Sequence, residues 1–381
     1  MNKLNRLHIR GFRRLKDLDL DLENRPLMVM IGANGVGKTS VLDAVSLLSA
    51  SASGNLRDNL SAQGGISSLL TRGDAQELSL HASMEVKDHN PLDYELQVRA
   101  IGTGYEVFHE ELSQDRGLRT PFLHISAQGS RVRYHDGKNL VAPDWEHDVL
   151  ESALSQVPKM YREPEEFRKV LSTATLYHAL DVGIRAPVKL PQQLKPALLP
   201  GENGEDLLPF LYSLKEGDKA RYDAVIDAIR AAFPTFEDLS FPLVATGTVA
   251  MTWKDSCFDK PLYMNELSEG TLRFLWLVAL LQSPSLSTVT MIDEPEVSLH
   301  PELLSLLADL MREASKQTQL IVATHSDRLI RFLEPNEVVV LDTTDEGYTQ
   351  AQWADKLDIE KWLADYSLDE VWRMGRLGGR K

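Results

Sequence analysis

Residues 32–39 read GANGVGKT, with glycines at the first and sixth places followed by a lysine and a hydroxyl residue. The apolar stretch LMVMI precedes them and the helical pattern KTSVLDAVSLLSA overlaps their end. A glycine-permitted turn between strand and helix points successive backbone N–H groups, and the positive end of the helix, at one place. That arrangement suits a triphosphate. Gly32, Ala33, Asn34, Gly35, Val36, Gly37, Lys38, Thr39 and Ser40 are therefore expected to surround the phosphates. Lys38 should reach the β and γ phosphates, and the Thr39 hydroxyl should ligate Mg²⁺.

A magnesium ion held by one hydroxyl and phosphate oxygens calls for an acidic partner. TVTMIDEP supplies one: an apolar strand that ends in Asp293, with Glu294 next. Asp293 should hold Mg²⁺, and Glu294 should orient or deprotonate an attacking water. The next apolar strand, in LIVATHSD, ends near His325. If both strands lie in one parallel sheet, their carboxyl ends share a rim, and a neutral His325 imidazole there can hydrogen-bond a γ-phosphate or the water. The stretch NELSEGTLRF places Ser268 and Gly270 at the start of an apolar helix. Ser268 is a good cap residue, and the helix start is an anion site with no ligand of its own nearby in sequence.

The elements that must position these groups follow from periodicity. LHIRGF, LKDLDLDLE and PLMVMIG read as strands, the second in strict alternation. Residues 76–136 read as strand after strand broken by Gly, Asp and Asn turns, which implies an antiparallel layer. Helical patterns dominate residues 147–233, with the strand-like TLYHALDV and a proline-rich link at 186–200 among them. After residue 236 a strand–helix alternation reads as a parallel sheet. Composition bounds the rest. Net charge is −15, from 41 basic and 56 acidic residues, which argues against coating nucleic acid by bulk electrostatics and leaves only local basic patches. Arg10, Arg13 and Arg14 form one and Arg373 and Arg376 another. A single cysteine, Cys257, excludes an internal disulfide framework, and no apolar run approaches the ~18–20 residues of a membrane span. No signal core opens the chain, so a cytoplasmic protein without a membrane partner is expected.

Taken in order, GANGVGKT, LSEGT, MIDEPEVSLHP and ATHSD resemble the Walker A, signature, Walker B with D-loop, and H-loop of ABC-type ATPases. The opening LNRLHIRGFRRLKDLDLDL, and His300-Pro301 where transporters carry Leu-Asp, resemble the RecF/SMC/OLD-like branch without long coiled-coil arms. The resemblance implies an α/β fold: a P-loop NTPase of ABC-ATPase head type, with a mixed sheet, an antiparallel β subdomain and a helical insertion. It divides the chain into an N-terminal ATPase lobe (1–145), a helical insertion (146–235), a C-terminal ATPase lobe (236–345) and a helical tail (346–381). It implies ATP and Mg²⁺ as cofactors and a head-to-tail homodimer sandwiching ATP, with Ser268 and Gly270 of one copy closing on the γ-phosphate held by the other. The implied role is an ATP-hydrolysing dimerisation switch working with a separate effector in DNA repair, DNA-end processing or anti-phage defence, with DNA as a candidate ligand. The alternative is a non-hydrolysing ATP-dependent adaptor. The Q-loop glutamine has no single counterpart: Gln128, Gln192 and Gln193 are candidates, and TLYHALDV is another occupant of that place.

Overall fold

The strand LMVMI is apolar at every position and needs cover on both faces, which only a central place in a layered sheet provides. The computed structural model, which describes residues 3–73, 75–86 and 89–378, puts it there. A six-stranded sheet runs in the order Thr175–Tyr177, Val289–Asp293, Gln319–Ala323, Leu27–Ile31, Val338–Thr343, Thr349–Trp353. The first five strands are parallel and the last is antiparallel. Met28 and Met30 join one apolar core, whereas Leu27, Val29 and Ile31 join the other on the opposite face.

The helix Lys38–Ser53 lies on the methionine face and is buried around most of its circumference. It starts at Gly37 (φ 113°) and stops at Gly54 (φ 75°), whose N–H returns to the carbonyls of Ala50 and Ser51. Over it lies an eight-stranded antiparallel sheet, Leu15–Asp21, Leu4–Phe12, Glu77–Val86, His89–Ile101, Gly104–Gln114, Phe122–Gln128, Arg131–His135, Leu140–Val141 in spatial order. The first two strands of the chain belong to this layer, and only the third enters the central sheet. Their alternation explains the split. Leu15, Leu18 and Leu20 face the core while the residues between them face water, a pattern suited to a sheet with one wet face.

On the other face of the central sheet pack the helices Leu207–Gly217, Lys219–Ala232, Glu269–Leu281 and Leu303–Ser315, in one continuous core. The helix Arg162–Ser172 instead joins the methionine-side core through Phe167, Val170 and Leu171. The stretches 1–145, 146–235 and 236–345 are thus interleaved in space: each contributes at least one strand to the central sheet. The tail also differs from the helical expectation. Thr349–Trp353 is a strand, returned by a turn through Gly347 (φ 84°) to pair with Val338–Thr343. Beyond it the described residues hold a 3-10 turn at Ala354–Lys356 and two short α-helices, Glu360–Leu363 and Leu368–Arg373. Alternating burial at Thr349 and Trp353 made the strand the better use of that sequence.

One buried acid ties the antiparallel layer to residues 152–154. Glu110, fully buried, accepts from the Tyr94 hydroxyl (3.0 Å), the Ser152 hydroxyl (2.9 Å) and the backbone N–H groups of Ala153 (2.7 Å) and Leu154 (2.8 Å). Burial pushes its pKa up, and those four donors oppose the shift. Glu110→Ala would orphan the donors in a dry site and should lower stability by about 3 kcal/mol, read from denaturant unfolding. A loss below about 1 kcal/mol would remove this latch from the account.

Candidate nucleotide site at the sheet rim

Parallel strands deliver their carboxyl ends to one edge, and here that edge gathers the chemistry. Leu27–Ile31 leads into the phosphate loop, Val289–Asp293 ends on Asp293, Gln319–Ala323 leads to His325, and Thr175–Tyr177 leads to His178. The loop itself is shaped by close packing. A Cβ on Gly32 would come within 2.4 Å of the Leu341 carbonyl, and one on Gly37 within 2.7 Å of the Thr349 hydroxyl. Thr349, itself buried, donates to the Val36 carbonyl at 2.6 Å and braces the loop from the antiparallel edge strand. Nothing local in the sequence marks Thr349 for that task.

Lys38 is 4% exposed, and its ammonium donates to the carbonyls of Gly32 (2.7 Å) and Ala33 (3.1 Å) and lies 3.3 Å from His325 Nδ1. Burial lowers its pKa to about 8, against the raising effect of Asp293, Glu294 and Glu296. Thr39 Oγ1 and Asp293 Oδ2 are 3.5 Å apart. Burial, and then the charge of Glu294, raises the Asp293 pKa, so a bound cation would relieve a real cost there. A hydroxyl and a carboxylate converging in this way are hard oxygen donors and fit Mg²⁺. Glu294 Oε1 lies 3.5 Å from His325 Nε2. Burial, and then the nearby Lys38 charge, lowers the His325 pKa, which favours the neutral imidazole. Glu294 sits at φ 53°, a left-handed conformation that non-glycine residues rarely adopt and that collects at functional sites.

Two further groups join the rim. His178 Nδ1 is 3.9 Å from Asp293 Oδ2, at the end of the strand that flanks the Asp293 strand. That strand belongs to TLYHALDV, whereas Gln192 pairs in a separate small sheet and is bonded to Pro187, Gly204 and Leu208, and Gln128 ends a strand of the antiparallel layer. Glu296 accepts from the Thr324 hydroxyl (2.6 Å) and the His325 N–H (3.0 Å). Its position two residues beyond Glu294 carried no recognisable signal.

Ser268 and Gly270 stand apart from this cluster. Ser268 caps the helix Glu269–Leu281, its hydroxyl accepting from the Thr271 N–H at 3.1 Å, and it is exposed. Gly270 packs so close to the following loop that a Cβ would lie 2.6 Å from the Ser298 carbonyl. Of the five arginines singled out, Arg13 is engaged by Asp43 and by Gln63 (2.9 Å), Arg373 by Asp327 (2.8 Å), and Arg376 lies over the Trp362 ring at 4.8 Å. Arg10 and Arg14 are exposed. Among the described residues no helix is long and apolar enough to cross a membrane.

The layered sheet and its rim define a P-loop ATPase of the ABC/AAA class with the fold of SMC heads. The chain belongs to the family described as "AAA domain, putative AbiEii toxin, Type IV TA system", which matches residues 27–331. It is 25% identical to an OLD nuclease of Thermus scotoductus, in an alignment covering 99% of this chain and 68% of that protein. An Smc head bound to the C-winged helix domain of ScpA superposes with a TM-score of 0.57 at 14% identity, covering 92% of this chain and 97% of the other. The Pyrococcus furiosus Smc head with an extended coiled coil, bound to the C-terminal domain of ScpA, gives 0.54 at 13% identity over 98% of each chain.

Proposed function

We propose that this protein binds ATP with Mg²⁺, hydrolyses it, and uses the cycle to join and release two copies head to tail. The observation that carries the reading is the meeting of Lys38 and Thr39 with Asp293, Glu294 and His325 on one sheet rim. Lys38 neutralises charge on the β and γ phosphates, and Thr39 and Asp293 hold the magnesium ion, which supplies further charge compensation. Glu294 takes a proton from the attacking water as its oxygen bonds to the γ-phosphorus and the bond to the β–γ bridging oxygen breaks, leaving ADP and phosphate. His325 orients the γ-phosphate, and the nearness of His178 to Asp293 supports the TLYHALDV strand as the occupant of the Q-loop place. Glu294 beside His325 favours hydrolysis over the adaptor reading, in which ATP only holds two copies together.

The second copy enters through the exposed helix start. Ser268 and Gly270 would close on a γ-phosphate held by a partner, a reading supported by the exposure of Ser268, and the exposed Arg10 and Arg14 would carry any salt-sensitive DNA contact. The role we assign is in DNA-end processing, DNA repair or anti-phage defence with a separate effector, inside the cytoplasm; similarity to a protein named as an OLD nuclease supports its nucleic-acid side.

Complementation tests the composite site. Ser268→Arg and Glu294→Gln should each be nearly inactive alone. A mixed dimer would hold one site with Lys38 and Glu294 from the first variant and Ser268 from the second, all intact. Random equal mixing makes about half the dimers mixed, each with one good site of two, so activity should recover to roughly a quarter of wild type. Mixed dimers seen by mass spectrometry, yet no more active than the separate variants, would place Ser268 outside the site.

A further inference from the structure

The loop from Glu294 to Ser298 is stitched to the rim on one side and to the helix Glu269–Leu281 on the other. On the rim side three bonds hold it: the Glu294 N–H donates to the Ala323 carbonyl (2.8 Å), and Glu296 Oε1 accepts from the Thr324 hydroxyl (2.6 Å) and the His325 N–H (3.0 Å). On the helix side the Ser298 carbonyl abuts Gly270, leaving no room for a Cβ, and Arg273 Nη1 reaches the Val297 carbonyl at 3.5 Å. The segment is short and stiff. Glu294 (φ 53°) and Ser298 (φ 62°) both hold left-handed backbone, and Pro295 lies between them. Strained non-glycine residues persist only where surrounding contacts over-determine them, and such segments switch between discrete arrangements more readily than they deform.

We propose that Glu296 is a positioning residue that joins the His325 strand end to this loop, so that a change at the chain's own γ-phosphate site is carried through Val297 and Ser298 to the start of the helix bearing Ser268 and Gly270. The geometry makes the link directional. Glu296 touches the backbone of His325 rather than its imidazole, so it sets where the ring stands without taking part in the reaction. Its second carboxylate oxygen is buried and has no hydrogen-bond partner among the described residues, leaving Oε1 as the oxygen that carries the link. Burial is also the main reason its pKa is raised, against the donors from Thr324 and His325. The two ATP sites of a head-to-tail pair would then be coupled within each chain, because the loop that answers to one nucleotide is packed against the helix start offered to the other.

This inference rests on the nucleotide site proposed above, and its test separates the two. Hydrogen exchange would be followed in the full chain with a slowly hydrolysed ATP analogue and Mg²⁺, at a concentration where light scattering shows monomers. In wild type, protection should rise at residues 32–40 and also at 268–273. In Glu296→Ala, protection at 32–40 should persist while that at 268–273 is lost, and ATP turnover should fall at least tenfold with the ATP dissociation constant within about threefold of wild type. Glu296→Gln keeps an oxygen for both bonds and should restore turnover to within about threefold. Thr324→Val, which removes the hydroxyl that donates to Glu296 and accepts from the Ser326 N–H, should fall between them and serves if Glu296→Ala folds poorly. Wild-type turnover reported in Glu296→Ala, or ATP-dependent protection at 268–273 retained in it, overturns the proposal. So does Glu296→Gln as impaired as Glu296→Ala, because that outcome assigns the role to charge. No protection at 32–40 in wild type would instead overturn the nucleotide site itself.

Discussion

Lys38→Ala should raise the ATP dissociation constant by two to three orders of magnitude while leaving the fold in place. The ammonium is buried at the loop, so its charge would act on phosphate oxygens with little competition from solvent. Two charge-assisted hydrogen bonds to the β and γ phosphates, each contributing about 1.5–3 kcal/mol, correspond to about a hundredfold or more in affinity. The fold does not depend on them. The present partners of Lys38 Nζ are two carbonyls of its own loop and the His325 ring, not a core. The flanking Gly32 and Gly37 contacts and the Thr349 brace hold the loop without it. Calorimetry with ATP and Mg²⁺, beside a thermal melt, checks both halves. An affinity within threefold of wild type would remove the phosphate assignment of residues 32–40.

Glu294→Gln should leave ATP and Mg²⁺ binding near wild type and lower kcat by about 10²–10⁴-fold, the range over which a general base contributes. The amide keeps the length of the side chain and suits the same left-handed backbone, so the geometry beside His325 is preserved while the proton acceptor is removed. Because the γ-phosphate then stays in place, ATP should drive the variant into a long-lived dimer. Light scattering would show the dimer with ATP and its absence with ADP. A Glu294→Gln chain that turns over ATP at the wild-type rate would assign the base elsewhere. One that binds ATP yet stays monomeric would count against ATP-driven association.

Much of this site could be read along the chain because its parts are local. GANGVGKT is a strand-to-helix turn whose glycines answer to backbone conformation. Its lysine and hydroxyl residue are placed by the first turn of the helix that follows. MIDEP and VATH are strand ends, and a strand end announces itself by where an apolar run stops. The alternation in LKDLDLD foretold a sheet with one wet face, and LMVMI one with two dry faces. Each reading depends on residues within a few positions of one another, which is the range over which periodicity and capping act.

The remaining features depend on which distant pieces become neighbours. Strand order alone brings Tyr177 beside Ile292, and with it His178 to Asp293. The same order sets Thr349 under the phosphate loop, 313 positions from the Val36 carbonyl it holds. It also turns Glu296 from one more acid in an acidic loop into a link between two strand ends. It sends the first two strands to the antiparallel layer and the third to the middle of the central sheet. The motifs and the type of most elements were therefore legible in the sequence, since burial pattern and turn chemistry are local, whereas the tail strand Thr349–Trp353 needed its partner Val338–Thr343 to be a strand at all. The braces, the edge histidine and the loop-to-helix contact were decided by tertiary structure. Long-range pairing is selected by the shared burial of whole faces, and no short window of sequence records which partner a face will meet.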